Sequence, residues 1–356
     1  MTAAPTPGSP GVVVVTGVSR FLAATVAGRL AADPSVGRVI GLDSVAVPDA
    51  VAPLLRGVER ISADERDAAS AIADLGATAV AHLAITAAPD RTDDDGVHKE
   101  RNIIGTMRLL AACQQAPGLR KLVVRSSTAA YGASFRDPAV FTEETEPRAV
   151  PRGGFARDIL DIEGYVRGFC RRRPDVVGTV LRFAPVIGSA ANTTLTRYFS
   201  SPLVPTVFGR DPRLQFVHLD DAIEVLVRAV TGDHPGTFNV AGPGVLTLSQ
   251  AIRRAGRIGV PVWEGGLSAA AALARGLDLR GFSFDQLDLF VHGRVVDTDR
   301  LIAEFGFQPR STAEAFDDFI SAHRGGTVIP AAQVAAAEQA ILDGIRQARR
   351  ARSGHV

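Results

Sequence analysis

The chain has 356 residues, with 39 basic against 38 acidic side chains and a net charge of +1. That balance argues against nucleic-acid binding as its main role. Its two cysteines, Cys113 and Cys170, exclude a disulfide framework and fit a reducing cytoplasm. The opening MTAAPTPGSP lacks the charged-then-apolar pattern of a secretory signal. No apolar run approaches the ~20 residues of a membrane span, so a cytoplasmic protein with no membrane partner is expected. All but two of the basic residues are arginine. Lysine chemistry therefore has only two candidates, Lys99 and Lys121.

Residues 1–10 read as a flexible tail. GVVVVTG then reads as a buried strand that ends in a turn, because its apolar run is short, β-branched and bounded by glycines. A helix is predicted over 20–32, a strand at 38–43, a helix at 65–75 and a strand at 78–84. A long helix follows at 97–116, then a strand at 120–127, a helix at 154–173 and a strand at 175–183. The strands are continuous apolar runs that alternate with helices, the signature of a parallel sheet covered on both faces. The predicted fold is α/β: a Rossmann-type doubly wound parallel sheet over 11–184 with a smaller C-terminal substrate lobe. That lobe spans 185–325, interleaved with returns to the main domain. Residues 326–356 read as a C-terminal helix, whose basic end RQARRAR complements the helix dipole.

The first strand–turn–helix is where a G-x-x-G-x-x-G dinucleotide turn would sit. Only its first glycine, Gly17, is present. The second position is Arg20 and the third Ala23. Ala23 adds one methyl. Arg20 is large enough to block a phosphate, or to turn its guanidinium onto one. Asp43 ends the second strand, where an acid accepts hydrogen bonds from ribose hydroxyls and favours NAD over NADP. The alternative is an ordinary βα turn with a strand-end acid facing solvent.

Six segments then fall in order: HLA (82–84), RNIIGTMRLLAAC (101–113), KLVVRSSTAAYG (121–132), LRFAPVIG (181–188), LQFVHLDDAIEVL (214–226) and GTFNVAG (236–242). This series resembles the extended short-chain dehydrogenase/reductase superfamily, in its NAD-dependent epimerase/dehydratase group. More closely it is similar to actinobacterial UDP-glucose 4-epimerase-like proteins. The resemblance covers roughly 11–325 and implies an NAD cofactor and a nucleotide-sugar or other small substrate. It also implies a homodimer through the helices 97–116 and 154–173. By position, Gly17, Arg20, Phe21 and Leu22 would lie along the pyrophosphate, Asp43 at the ribose and Asp64 at the adenine. Leu83 and Ala84 would line the cofactor cleft, Asn102 would brace the central helix, and Pro185 and Val186 would meet the nicotinamide. His218 and Asp220 match a VHxxD segment that is mainly structural.

The family's enzymes use a serine or threonine together with a YxxxK pair. The tyrosine exchanges a proton with the substrate hydroxyl, and the lysine lowers its pKa from the free value of ~10. The serine position is intact as Ser127. The YxxxK position falls at Phe155 and Ile159. Tyr131, Tyr165 and Tyr198 are followed four places on by Phe135, Phe169 and Pro202. Asp95 and Pro117 stand four places before the two lysines. No YxxxK exists in the chain, so proton transfer by the usual route is excluded. Tyr131 remains as a candidate acid/base, against a packing role. Asp158, about 100° round the helix from Ile159, is expected to face the surface. The scattered histidines and the lack of CxxC or HExxH predict no metal site. Trp263 reads as a packing residue. The expected function is an atypical NAD-binding epimerase/dehydratase-like protein, or else a non-catalytic sensor or scaffold on the same fold.

Overall fold

A computed structural model describes residues 10–62, 72–86, 100–148, 154–191, 193–262 and 289–323, together with Ala336 and Gln339. The predicted residue Asp64, Trp263, most of the helix at 65–75 and nearly all of 326–356 lie outside the described residues.

Seven parallel strands form the main sheet: β1 (Val12–Thr16), β2 (Arg38–Asp43), β3 (Glu59–Ser62), β4 (Ala79–His82), β5 (Lys121–Ser127), β6 (Val177–Phe183) and β11 (Gly236–Val240), in the order β11-β6-β5-β4-β1-β2-β3. The apolar runs feed both faces. Val13 and Val15 of β1 and Val123 of β5 join one core, with helices α1 (Phe21–Ala32) and α5 (Leu219–Thr231). Val14 of β1 and Leu122 and Val124 of β5 join the opposite core, with α2 (Gly105–Gln115) and α3 (Gly154–Arg172). Alternation along a strand sends successive side chains to opposite faces. A strand covered on both sides must therefore be apolar throughout, as these sequences are. The result is a Rossmann-like doubly wound fold.

Within the described part of the helix predicted over 97–116, the regular α-helix begins at Gly105. Glu100–Ile104 before it form a π turn. Strand β3 was not foreseen, because ERIS is a mostly exposed edge segment with no apolar run. Its register is held by pairing to β2 and by an Arg38–Glu59 ion pair at 2.6 Å.

Beyond β6 a third apolar cluster gathers Ile187, Tyr198, Phe199, Phe216, Phe316 and Phe319. It is built by α4 (Thr194–Ser200), α6 (Leu248–Arg254) and α8 (Thr312–Ala322) with short strand pairs. These pairs are β7 (Val186–Ile187) with β10 (Val217–His218), β8 (Leu203–Val207) with β13 (Ile258–Val262), and β9 (Arg213–Leu214) with β12 (Leu246–Thr247). Between these pieces, α5 and β11 return to the main sheet, and α7 (Asp299–Phe305) adds Leu301 and Phe305 to its first core. Each of α4, α6 and α8 opens with a reciprocal side-chain cap, from Thr193, Thr247 and Ser311, which satisfies otherwise orphaned N–H groups.

Candidate functional site

The crevice lies at the C-terminal ends of β1 and β4. The chain leaves β1 toward β2 and leaves β4 toward β5. The two connections diverge, and open α/β sheets bind ligands at such a switch point. Gly17 turns the chain there with φ +80°. A Cβ on it would come within 2.7 Å of the Ala84 Cα. Both the left-handed backbone and the close crossing demand glycine. Arg20 caps α1 with extended backbone, φ −105° and ψ 143°, which any residue adopts. Ala23 is buried in the α1 core, so its extra methyl is accommodated.

Asp43 faces this turn. One carboxylate oxygen accepts the Ser19 N–H at 2.8 Å and the other the Val45 N–H at 3.0 Å. A carboxylate offers about four lone-pair positions, so acceptor capacity remains toward the crevice. Phe21 stands exposed at the start of α1, and Leu22 packs half-buried on the core.

The end of β4 is fixed by a buried chain of polar groups. Thr16 Oγ1 accepts the Leu83 and Ala84 N–H groups at 3.1 and 3.3 Å. It donates to His82 Nδ1 at 2.9 Å, and Nε2 of the ring meets Thr106 Oγ1, also at 2.9 Å. Thr106 in turn donates to the Asn102 carbonyl at 2.6 Å. Because Thr106 spends its proton there, His82 must carry its own on Nε2. Burial lowers the His82 pKa to about 4, so the ring is neutral. Asn102 closes the chain by clamping both backbone groups of Thr86, at 2.9 and 3.2 Å. Its bracing acts on the strand–loop after β4 as well as on the helix that carries it.

At the end of β5, Ser127 is half-buried and its Oγ accepts the Ala129 N–H at 3.1 Å. Its proton is available to a ligand oxygen. Tyr131 is closed off. Its hydroxyl donates to Asn239 Oδ1 at 2.8 Å and accepts from Arg182 at 2.9 Å. Its ring stacks on Phe141, and burial pushes its pKa above the usual tyrosine value. Ile159 is fully buried among Val124, Ala130 and Leu109, with Phe155 packed at the edge of the same cluster. Phe155 and Ile159, to which the resemblance assigns the proton pair, thus share one apolar face of α3.

Asp158 does not face the surface as expected; it is buried. Helix α3 packs on β5 and β6, on α2 and on the Thr128–Tyr131 turn. Packing on several sides widens its buried face beyond a single stripe. The same packing buries Glu163, which grips Arg182 and accepts from Ser126 Oγ at 2.6 Å. Sequence reasoning missed Glu163, Arg182 and Asn239. The available signal was an acid inside the apolar stripe 155, 159, 162, 166.

Pro185 and Val186 are half-buried, and the Pro185 carbonyl accepts the Val217 N–H. His218 caps α5 by accepting the Asp220 N–H, and its Nε2–H donates to Asp318 at 3.0 Å. That bond holds the Asp318 carboxyl below its ordinary value. The buried acid of this segment is not Asp220, whose side chain is exposed. It is Asp221, the residue on which VHxxD counted from Val217 ends, and it accepts the Arg310 N–H at 2.7 Å.

Arg125, also missed, lies on the same face of β5 as Ser127. Its Nη1 donates to the Ile85 carbonyl at 2.9 Å. Burial lowers its pKa to about 10, and the charge of Arg20 acts in the same direction. Among the described residues no group of three metal-ligating side chains occurs, and no helix is long and apolar enough to cross a membrane.

The uncharacterized protein Rv0501 of Mycobacterium tuberculosis is 44% identical over 316 residues, 88% of this chain and 84% of its own. A second protein of that organism, uncharacterized protein Rv2047c, is 33% identical over 148 residues, which cover 41% of this chain and 16% of the relative. UDP-glucose 4-epimerase from Thermotoga maritima, solved with UDP-glucose, superposes with a TM-score of 0.66 at 20% identity, covering 88% of this chain and 98% of the other. UDP-glucuronic acid 4-epimerase from Bacillus cereus, solved with NAD, gives 0.65 at 16% identity over the same shares. At such identities the likeness shows the fold. The sequence pattern of the NAD dependent epimerase/dehydratase family, however, matches residues 13–241, a span that holds Gly17, Asp43, Ser127, Phe155 and Ile159, and the chain belongs to that family.

Proposed function

We propose that the protein binds NAD and a nucleotide sugar, or another small hydroxyl- or carbonyl-bearing substrate, and acts without its family's tyrosine–lysine pair. The observation that carries this reading is Ile159, fully buried in an apolar cluster where the family places a cation. Phe155 fills the tyrosine's volume and transfers no proton.

The crevice fits a dinucleotide on its own geometry. Gly17 gives the close turn, the first turn of α1 presents backbone N–H groups to an anion, and Asp43 keeps acceptor capacity for ribose hydroxyls. An acid there disfavours a 2′-phosphate, so NAD is preferred to NADP. Leu83, Ala84, Pro185 and Val186 would supply the apolar walls. NAD, when bound, would supply hydride acceptance and return, and Ser127 would orient the substrate oxygen through its free proton.

A second reading is binding without turnover, in the manner of a sensor. The observation that favours it is Tyr131, the tyrosine hydroxyl nearest to Ser127 in the chain, which has both bonding directions taken inside the protein.

Titration calorimetry with NADH, NADPH and UDP-glucose, followed by an epimerisation assay, tests the proposal. Micromolar NADH binding with slow or absent 4-epimerisation is expected. Turnover of UDP-glucose at the rates usual for the family would overturn it. The cytoplasmic location and a homodimer through 97–116 and 154–173 belong to the same proposal. Exposed Met107 and Tyr165 on these helices support the dimer, and size-exclusion chromatography with light scattering checks it.

A further inference from the structure

Two arginines stand beside the crevice, Arg20 by its backbone at the start of α1 and Arg125 by its bond to Ile85. Arg20 stands where α1 begins, directly after the turn that ends β1. Arg125 belongs to β5, yet its side chain crosses to the end of β4 and is pinned to the Ile85 carbonyl at 2.9 Å, three residues beyond that strand. A guanidinium has five N–H donors, and this bond uses one. Among the described residues no carboxylate pairs with Arg125. The charge that acts on it is the like charge of Arg20.

Arg125 is half-buried; a partly desolvated cation near a second cation costs stability, and such costs concentrate at functional sites. Between these two cations lie the crevice and the N-terminal end of α1, whose dipole also favours an anion. A ligand with two adjacent negative charges would meet the unused donors of Arg125 and the positive end of α1 together.

We propose that Arg125 and Arg20 form a two-sided clamp on the pyrophosphate of the bound dinucleotide. The clamp places at the phosphates the positive charge that Ile159 does not provide at the ribose. It also explains how the turn tolerates the loss of its second glycine. Arg20 acts through its guanidinium, and its backbone conformation needs no glycine. The inference rests on the dinucleotide reading above.

The test is calorimetric titration of the full chain with NADH, ADP-ribose and inorganic pyrophosphate, for the wild type, Arg125→Gln, Arg125→Lys and Arg20→Gln. Removing a charge-assisted hydrogen bond from either rim should weaken ADP-ribose binding about 10- to 100-fold, with partial recovery in Arg125→Lys. The melting temperature of ligand-free Arg125→Gln should equal or exceed that of the wild type, because the repulsion between like charges is relieved. A purely structural arginine would give the opposite pair of results. If the wild type binds ADP-ribose and Arg125→Gln binds it equally well or more tightly, the clamp is overturned and the dinucleotide reading stands. If pyrophosphate binds in an Arg125-dependent way but NADH and ADP-ribose do not bind, the arginines hold a diphosphate of another kind, and both the clamp on a dinucleotide and the dinucleotide reading fail. If the wild type binds none of the three, both fail.

Discussion

The Arg182 guanidinium grips Glu163 with two parallel bonds, Nε to Oε1 at 2.9 Å and Nη2 to Oε2 at 2.6 Å. Both side chains are buried, at 10% and 3% exposure, and the pair ties α3 to β6. Arg182 also lies over the Tyr131 ring, so one ion pair orients the whole region behind Ser127. Removing one partner of a buried pair strands the other charge. Glu163→Ala is expected to cost about 3–5 kcal/mol, read from the urea midpoint at constant slope. A loss under about 1 kcal/mol, the level of an exposed pair, would show that the pair holds nothing together.

Ile159→Lys would supply the lysine of the proposed site but places a charge in the apolar cluster around Leu109 and Val124. Without the tyrosine to pair with, it should destabilise the protein by roughly 3–5 kcal/mol. Denaturant melts of Ile159→Lys and of the double variant with Phe155→Tyr check this. If the single variant is as stable as the wild type, the site is more hydrated than its packing implies.

His82 makes stability depend on pH. Its folded pKa of about 4 lies below the ordinary 6.5, so between those values the unfolded chain binds a proton that the folded chain refuses. Stability is complete above pH 6.5 and falls as the pH drops toward 4, by about 2 kcal/mol between pH 6.5 and 5. His234 is also lowered by burial and adds the same slope to every variant. The measurement is the difference in pH slope between wild type and His82→Gln over pH 7 to 5. Equal slopes would place the titration elsewhere.

Asp43→Ala should weaken NADH binding about 10-fold, the worth of a hydrogen bond to a charged group. Because the acid also repels a 2′-phosphate, the variant should bind NADH and NADPH with similar affinity. Calorimetry with both cofactors decides this. Retained discrimination would move the preference to another residue.

The sheet was legible because its signals are local. Val12–Thr16, Arg38–Asp43 and Lys121–Ser127 form strands where their apolar runs predicted them, since a strand buried on both faces can carry nothing else. The turn at Gly17 and the lack of any YxxxK were equally readable, since each is a matter of residue type at a fixed spacing. Burial of polar residues was not readable. Asp158 and Glu163 sit on a helix that looks amphipathic in isolation, and only its packing on several neighbours puts both inside.

The two lysines frame the same division. The sequence alone determined that neither can complete a YxxxK pair. It did not show that the charges of Arg20 and Arg125 act on one another, because the two residues are far apart in the chain. The parallel order β5-β4-β1 brings them to one crevice. Tertiary structure also settled the use of Lys121, which is buried beneath α5 with its ammonium on the carbonyls of Val230 and Gly232 at 3.0 and 2.6 Å. Chemistry missing from one position is visible in a sequence, whereas charges that meet across a sheet are set by strand order, which no local pattern encodes.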